Sequence, residues 1–461
     1  MSSSNQHTPG TPRPISVPPL GGALTRRNLL ALAGGVGLTS VIAACGGTST
    51  PSSAGPATSG SGGTAYTGPK VTLSFWNGFT GGDGPYIQRI VDEFNKKNPN
   101  IVVRMNVYQW ADFFQKLPAA VASGNGPNVA AMHLSDIPTY AAQQIIVPVD
   151  DVAAALHLTQ SDFSPIVWQG GIYQGKRYGI PLDVHPLGLY YNKTVLQKAG
   201  LDPETPPQTK DAFMAALAKL KAKGVQGYWM SPFPFTGGLT FFSLLYQYGG
   251  GVLASDNTTA VFNSAAGVQA LTWMRSMVTS GYSPANVAQD ADYVAFKNNR
   301  TAFNINGIWQ VNDLATTPGL KWGVAPVPRI GAQTAVWSDS HQFVVPRQRA
   351  NDPNLAAASR YFINYITKNS LTWVESGKVP ASKVVLDSAG FKKLTNLQPF
   401  AAELPYVHFP VLLPGGGDVL TQMYNGVQAA MLGKASPASA LNSAARLATK
   451  VAQNNRKQYG A

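Results

Sequence analysis

From Val71 to Leu134 the apolar residues change period repeatedly, and that alternation restricts the fold more than any other feature of the chain. "VTLSFW" (Val71–Trp76) alternates as a strand does. After "GGDG", the segment from Pro85 to Lys97 puts Ile87, Ile90, Val91 and Phe94 on one helical face. "NPNIVVRMNVY" turns at Asn98–Asn100 and enters a second strand. Asp112 to Ala122 reads as a helix with Phe113, Leu117 and Val121 inward, and "NGPNVAAMHL" as a loop and a third strand. Strand, helix, strand, helix, strand predicts a parallel α/β domain. Such sheets bind ligands beyond the carboxyl ends of their strands.

The chain has 461 residues, more than one core usually organises, so two domains are expected. "KRYGIPLDVHPLGLYYNKTVLQKAG" reads as short strands and then a helix from Lys193 to Gly200. Thr209 to Lys223 is amphipathic and stops at Gly224. Further helices are expected at Phe241–Tyr248, Ala265–Ser280, Pro353–Thr367, Gly417–Leu432 and Pro437–Gln453, with strands at "TAFNING" and "SDSHQFVVP". The division that follows is a leader and signal over 1–44, a tether over 45–69, an N-terminal lobe over 70–182 and a C-terminal lobe with crossing segments over 183–335. Returning segments and C-terminal helices over 336–461 complete the lobes.

The only cysteine, Cys45, closes an uncharged and mostly apolar run that begins after Arg26 and Arg27. One thiol excludes an intramolecular disulfide and a cysteine metal cluster. The run is shorter than the roughly 20 residues of a membrane span and suits a signal-peptide core behind a positive flank. "IAAC" resembles a bacterial lipobox, and "TRRNLL" resembles a twin-arginine export signal. Gly46 to Pro69 is uncharged and rich in Gly, Ser, Thr and Pro, which is the composition of a tether of about 25–30 Å r.m.s. span. The net charge of +13 includes three leader arginines (Arg13, Arg26, Arg27), leaving +10 for the exported part. Those charges are scattered rather than striped with aromatics, so a nucleic-acid partner is not expected.

No motif announces catalysis. "GGIYQGKR" (Gly170–Arg177) starts as a phosphate-binding loop but carries Arg177 where a magnesium-binding hydroxyl is needed, and reads as a turn before a strand. The histidines His133, His157, His185, His341 and His408 lack metal-ligand spacing in sequence, so neither metal nor cofactor is expected. A glycosidase needs two carboxylates straddling one bond; Asp83, Asp136, Asp183 and Asp339 lie in candidate loops without marking such a pair.

Four stretches together resemble extracellular solute-binding proteins (family 1 type) of carbohydrate ABC importers. They are "TLSFWNGFTGGDGPYIQRIVDEFNKKNPNIVV", "LPAAVASGNGPNVAAMHLSDIPTYA", "YGIPLDVHPLGLYYNKTVLQKAGL" and "FKNNRTAFNINGIW". The resemblance implies a two-lobed periplasmic-binding-protein-like α/β fold, each lobe a mostly parallel sheet flanked by helices, with a hinge between them. It also implies a non-enzymatic monomer on the outer face of the membrane, held by lipidated Cys45, that passes a sugar to a permease. An exported carbohydrate-active hydrolase, or the same fold serving another polar solute, are the alternatives.

A sugar needs aromatic faces for its C–H surfaces and polar groups for its hydroxyls. The aromatic candidates are Trp76, in the loop expected after the first strand, Trp309 after "ING", and Trp110 and Trp337, with Phe233 and Phe235 of "SPFPFTGG" suggesting an apolar subsite. The polar candidates are Asp83, Asp136, Asp183, His185, Asp339 and His341. Asp83 and Asp136 could instead cap the helices that follow them, and Asp183 and His185 could serve a hinge.

Overall fold

The computed structural model describes residues 66–460. Cys45, the signal segment and the tether as far as residue 65 lie outside the described residues.

The first sheet follows from the expected alternation. Strand β1 (Val71–Asn77) buries Leu73, Phe75 and Asn77 and pairs in parallel with β2 (Ile101–Val107) and β3 (Val129–His133). The helix Gly84–Lys97 crosses between β1 and β2 and buries the four residues its period singles out. The helix Trp110–Ser123 crosses to β3 and ends at Gly124, whose φ of +79° suits glycine. The sheet order is β2–β1–β3, then a strand from far along the chain, then β4 (Ile146–Val147), with β5 (Ile180–Pro181) pairing that same late strand.

The second sheet is built on β6 (Leu187–Asn192), buried at every residue, with β7 (Phe303–Gly307) on one side and β8 (Trp322–Ala325) on the other. Both pairings are antiparallel, so the expectation of a mostly parallel sheet holds for β1–β3 and is corrected here. The reason lies in the connections: β6 enters from the first sheet through a short crossing segment, and β7 and β8 return on either flank of it. The chain then crosses back as β9 (His341–Pro346), antiparallel to β3, β4 and β5.

The C-terminal helices divide between the sheets. Pro353–Lys368 packs on β1 and on the first helix through Phe362, whose ring lies 5.3 Å from Phe75 and 5.0 Å from Phe94. Gly416–Met431 and Pro437–Tyr459 pack against Ala265–Thr279 on the other side. Among the described residues no helix is long and apolar enough to cross a membrane.

One local expectation changes and another holds. Trp76 lies inside β1, paired with Asn106 and Ala130, rather than in the following loop. "GGIYQGKR" forms a small hairpin, Ile172–Tyr173 against Lys176–Arg177, with the Arg177 guanidinium 3.4 Å from the centre of the Trp168 ring.

Asp292, buried beside β7, accepts a hydrogen bond from Asn304 Nδ2 at 2.9 Å, while its Oδ1 has no partner. Burial raises its pKa from 3.8 to about 6. A raised carboxyl pKa contributes stability that is complete below the unfolded value and lost as pH rises through the folded one. Asp292→Asn should therefore stabilise the protein by about 2–3 kcal/mol above pH 7, a gain that fades by pH 4. Urea unfolding at the two pH values checks this, and a pH-independent effect would contradict it.

Candidate functional site

The site begins where β3 ends and β9 starts. Antiparallel register sets His133 directly opposite His341. The crossing segment then brings in Asp183 and His185: Leu182 N–H donates to the His341 carbonyl at 2.9 Å, and His185 N–H to that of Asp339 at 3.0 Å. The side chain of Asp183 is wholly buried. Its carboxylate accepts from the His341 backbone N–H at 3.0 Å, from His341 Nδ1 at 2.8 Å, from His185 Nδ1 at 3.1 Å and from Trp373 Nε1 at 2.8 Å. A carboxylate only accepts, so both Nδ1 atoms carry hydrogen and each Nε2 keeps its lone pair. The three imidazoles pack together, with centroids 4.3 Å apart for His185 and His341 and 5.3 Å for His133 and His341. One ring nitrogen of each lies within 4.8 Å of the others.

Burial holds His185 and His341 below the ordinary imidazole range, His185 well below it. Burial also disfavours charge on Asp183, but its His341 and His185 partners outweigh this and hold it well below the usual carboxylate range. His133 goes the other way: burial works against its charge, and Asp136, 3.5 Å away, together with Asp339 and Asp183 raises it. Asp339 accepts from Ser135 Oγ at 2.6 Å and Ser340 N–H at 2.8 Å, and burial lifts it to about 6.

Aromatic rings border the cluster. Trp110, at the start of its helix, lies nearly parallel to His341 at 5.5 Å and 13°, and 4.2 Å from His133. A Cβ at Gly78 would sit 2.1 Å from the Trp110 ring, so glycine there makes room for the indole. Trp309 follows β7 and meets Trp337 edge-on at 6.3 Å and 85°, with His185 6.0 Å from Trp337. Gly307 has an ordinary extended backbone, φ −77° and ψ 160°, so backbone conformation is not why it is glycine. The Trp309 ring lies across it, 2.0 Å from where a Cβ would be. The Nε1 atoms of Trp309 and Trp337 are both buried without a partner in the protein.

Of the candidates, the fold gathers Trp110, Asp136, Asp183, His185, Trp309, Trp337, Asp339 and His341. Phe235 is at the rim, 49% exposed and 5.3 Å from Trp309. Phe233 stands half-buried just before the turn that carries Phe235. Trp76 lies elsewhere, 4.8 Å from Tyr108. Asp83 makes no capping bond and instead pairs with buried Lys378 at 3.1 Å. Asp136 makes no capping bond either and faces His133.

Sequence reasoning did not select His133, Trp373 or Tyr424 for this site. Tyr424 packs on Gly238, and its hydroxyl pKa is raised by burial and by the charge of Asp339. His133 had a signal, its place at the carboxyl end of a strand; Trp373 and Tyr424 come from C-terminal helices that only the tertiary fold brings here. The arrangement offers indole faces for C–H surfaces and imidazole, carboxylate and indole N–H groups for hydroxyls.

Known proteins place this architecture. A putative binding protein of Brucella abortus is 25% identical over 377 residues, covering 80% of this chain and 90% of that one. The sn-glycerol-3-phosphate-binding periplasmic protein of Escherichia coli is 26% identical over 384 residues, covering 77% and 81%. Among solved structures, the cyclic alpha-maltosyl-1,6-maltose binding protein of Arthrobacter globiformis superposes with a TM-score of 0.72 at 25% identity, over 84% of this chain and all of that one. Its two-lobed periplasmic-binding-protein form is the one described above. The family model for bacterial extracellular solute-binding proteins matches residues 89–399, and this chain belongs to that family.

Proposed function

We propose that the chain captures a sugar or oligosaccharide between its lobes at the outer face of the membrane and delivers it to the permease of an ABC importer. The observation that carries this reading is the pair of indoles, Trp309 and Trp337, set edge-on with buried, unpartnered N–H groups beside the His185–Asp183–His341 floor. A buried donor without a partner costs about 1–3 kcal/mol, and a solute hydroxyl would relieve it while its C–H face covers the rings. The solute-contacting set is Trp110, Trp309, Trp337, His133, His185 and His341, with Asp136 and Asp339 orienting them and Phe235 at the rim. The relatives' ligands, a cyclic maltosyl-maltose and sn-glycerol 3-phosphate, both carry vicinal hydroxyls. Hydrolysis is disfavoured because Asp183, the central carboxylate, is occupied by four donors.

Titration calorimetry with maltooligosaccharides and sn-glycerol 3-phosphate tests the reading. Trp309→Ala should weaken binding of the best of these at least tenfold, which is about 1.4 kcal/mol. Gly307→Ala should weaken it too, because the added methyl must push the indole aside. Normal affinity in both variants with lowered thermal stability would mean that Trp309 only packs the lobe.

Lipidation of Cys45 after export by the twin-arginine route belongs to the same proposal, supported by the "TRRNLL" and "IAAC" stretches. Cys45→Ala should move the exported protein from the membrane fraction to the medium; retention would remove the anchor from the proposal.

A further inference from the structure

Three histidines widely separated in sequence meet at one point of the fold, and their surroundings are those of ligands. His185 and His341 each direct Nδ1 to Asp183, at 3.1 and 2.8 Å. His133 has Asp136 3.5 Å from its Nδ1. A carboxylate behind the imidazole fixes the tautomer, orients the ring and raises the basicity of the other nitrogen, the arrangement that accompanies metal-bound histidine. One nitrogen from each ring lies within 4.8 Å of the others. A tetrahedral ion with bonds of 2.0–2.1 Å needs nitrogens about 3.3 Å apart, so binding would draw the three rings together by up to about 1.5 Å.

We propose that His133, His185 and His341 form a site for one divalent transition-metal ion, zinc above all, with its fourth position open to the cleft. The donor set is three imidazoles, which suits zinc and its neighbours rather than calcium or magnesium. Charge agrees: Asp183, Asp136 and Asp339 surround the rings, and the nearby Lys378 is already paired with Asp83. Access agrees as well, because His133 keeps 24% of its side chain exposed while the other two are buried. The rings next to the cluster are Trp110, 4.2 Å from His133, and Trp309 and Trp337, 6.3 and 6.0 Å from His185, the same indoles assigned above to the solute. The site stands on these groups alone and does not require that the solute be a sugar.

The test uses the full chain without an affinity tag, stripped with a chelator and titrated calorimetrically with zinc chloride in the absence of any sugar. One ion per chain is expected, and cobalt(II) in its place should give the intense visible absorption of a four-coordinate site. Asp136→Asn should weaken zinc binding about 10–100-fold by removing the carboxylate behind His133. His133→Ala should weaken it at least as much while leaving the metal-free melting temperature close to wild type, because that ring is partly exposed. Absence of zinc binding by the wild-type protein up to high micromolar concentration would overturn the proposal, whatever the variants do. Binding of one ion with unchanged affinity in both variants would overturn it too, by placing the ion elsewhere.

Discussion

Asp183→Ala is expected to lower the unfolding free energy by about 3–5 kcal/mol, because several buried donors lose their acceptor at about 1–3 kcal/mol each. The size follows from what the carboxylate holds. Three side-chain donors and one backbone N–H converge on it, from His185, His341 and Trp373. Those residues arrive from the crossing segment, the start of β9 and the short helix Ser370–Val374, so one side chain joins three passes of the chain. Alanine would leave all four donors buried and unpaired. Asp183→Asn keeps one acceptor and should fall between alanine and wild type. Urea unfolding of the two variants checks the order. A loss below about 1 kcal/mol for alanine would mean that water replaces the carboxylate and that the network does not hold the passes together.

The same convergence explains how much of this protein was legible in its sequence. The β1–β2–β3 unit was readable because its signals are local: Ile87, Ile90, Val91 and Phe94 repeat at helical spacing, and Leu73 and Phe75 alternate. The antiparallel second sheet was not, because β6, β7 and β8 are joined by long connections whose direction no local period records. Among the site residues, Trp309 stood out by following a strand end, and Trp110 only as an aromatic candidate. Their partner glycines could not be interpreted until the rings were seen lying over Gly307 and Gly78. Asp83 shows the opposite failure. Its position before a helix invites the reading of a cap, yet a lysine 295 residues later along the chain takes its carboxylate. The histidine cluster escaped for a related reason: metal-ligand spacing is a property of one element, whereas His133, His185 and His341 share a site only because β3, the crossing segment and β9 are neighbours.

That distant pair carries the second large effect. The Lys378 side chain is 1% exposed, follows Gly377 in its left-handed turn, and reaches Asp83 Oδ2 at 3.1 Å. It leads directly into Val379–Pro380, which pairs with Val184 and Asp183. Asp83→Ala should therefore cost about 3–5 kcal/mol, because an ammonium would be left in the interior without its counter-charge. Asp83→Ala combined with Lys378→Met removes both charges and keeps most of the apolar volume, so it should recover most of the lost stability. Solute affinity gives the pair its functional meaning. If Asp83 acts through Lys378, the double variant binds as the wild type does. If the double variant is stable but binds at least tenfold more weakly, Asp83 or Lys378 touches the solute, and the ion pair belongs to the binding surface rather than to its support.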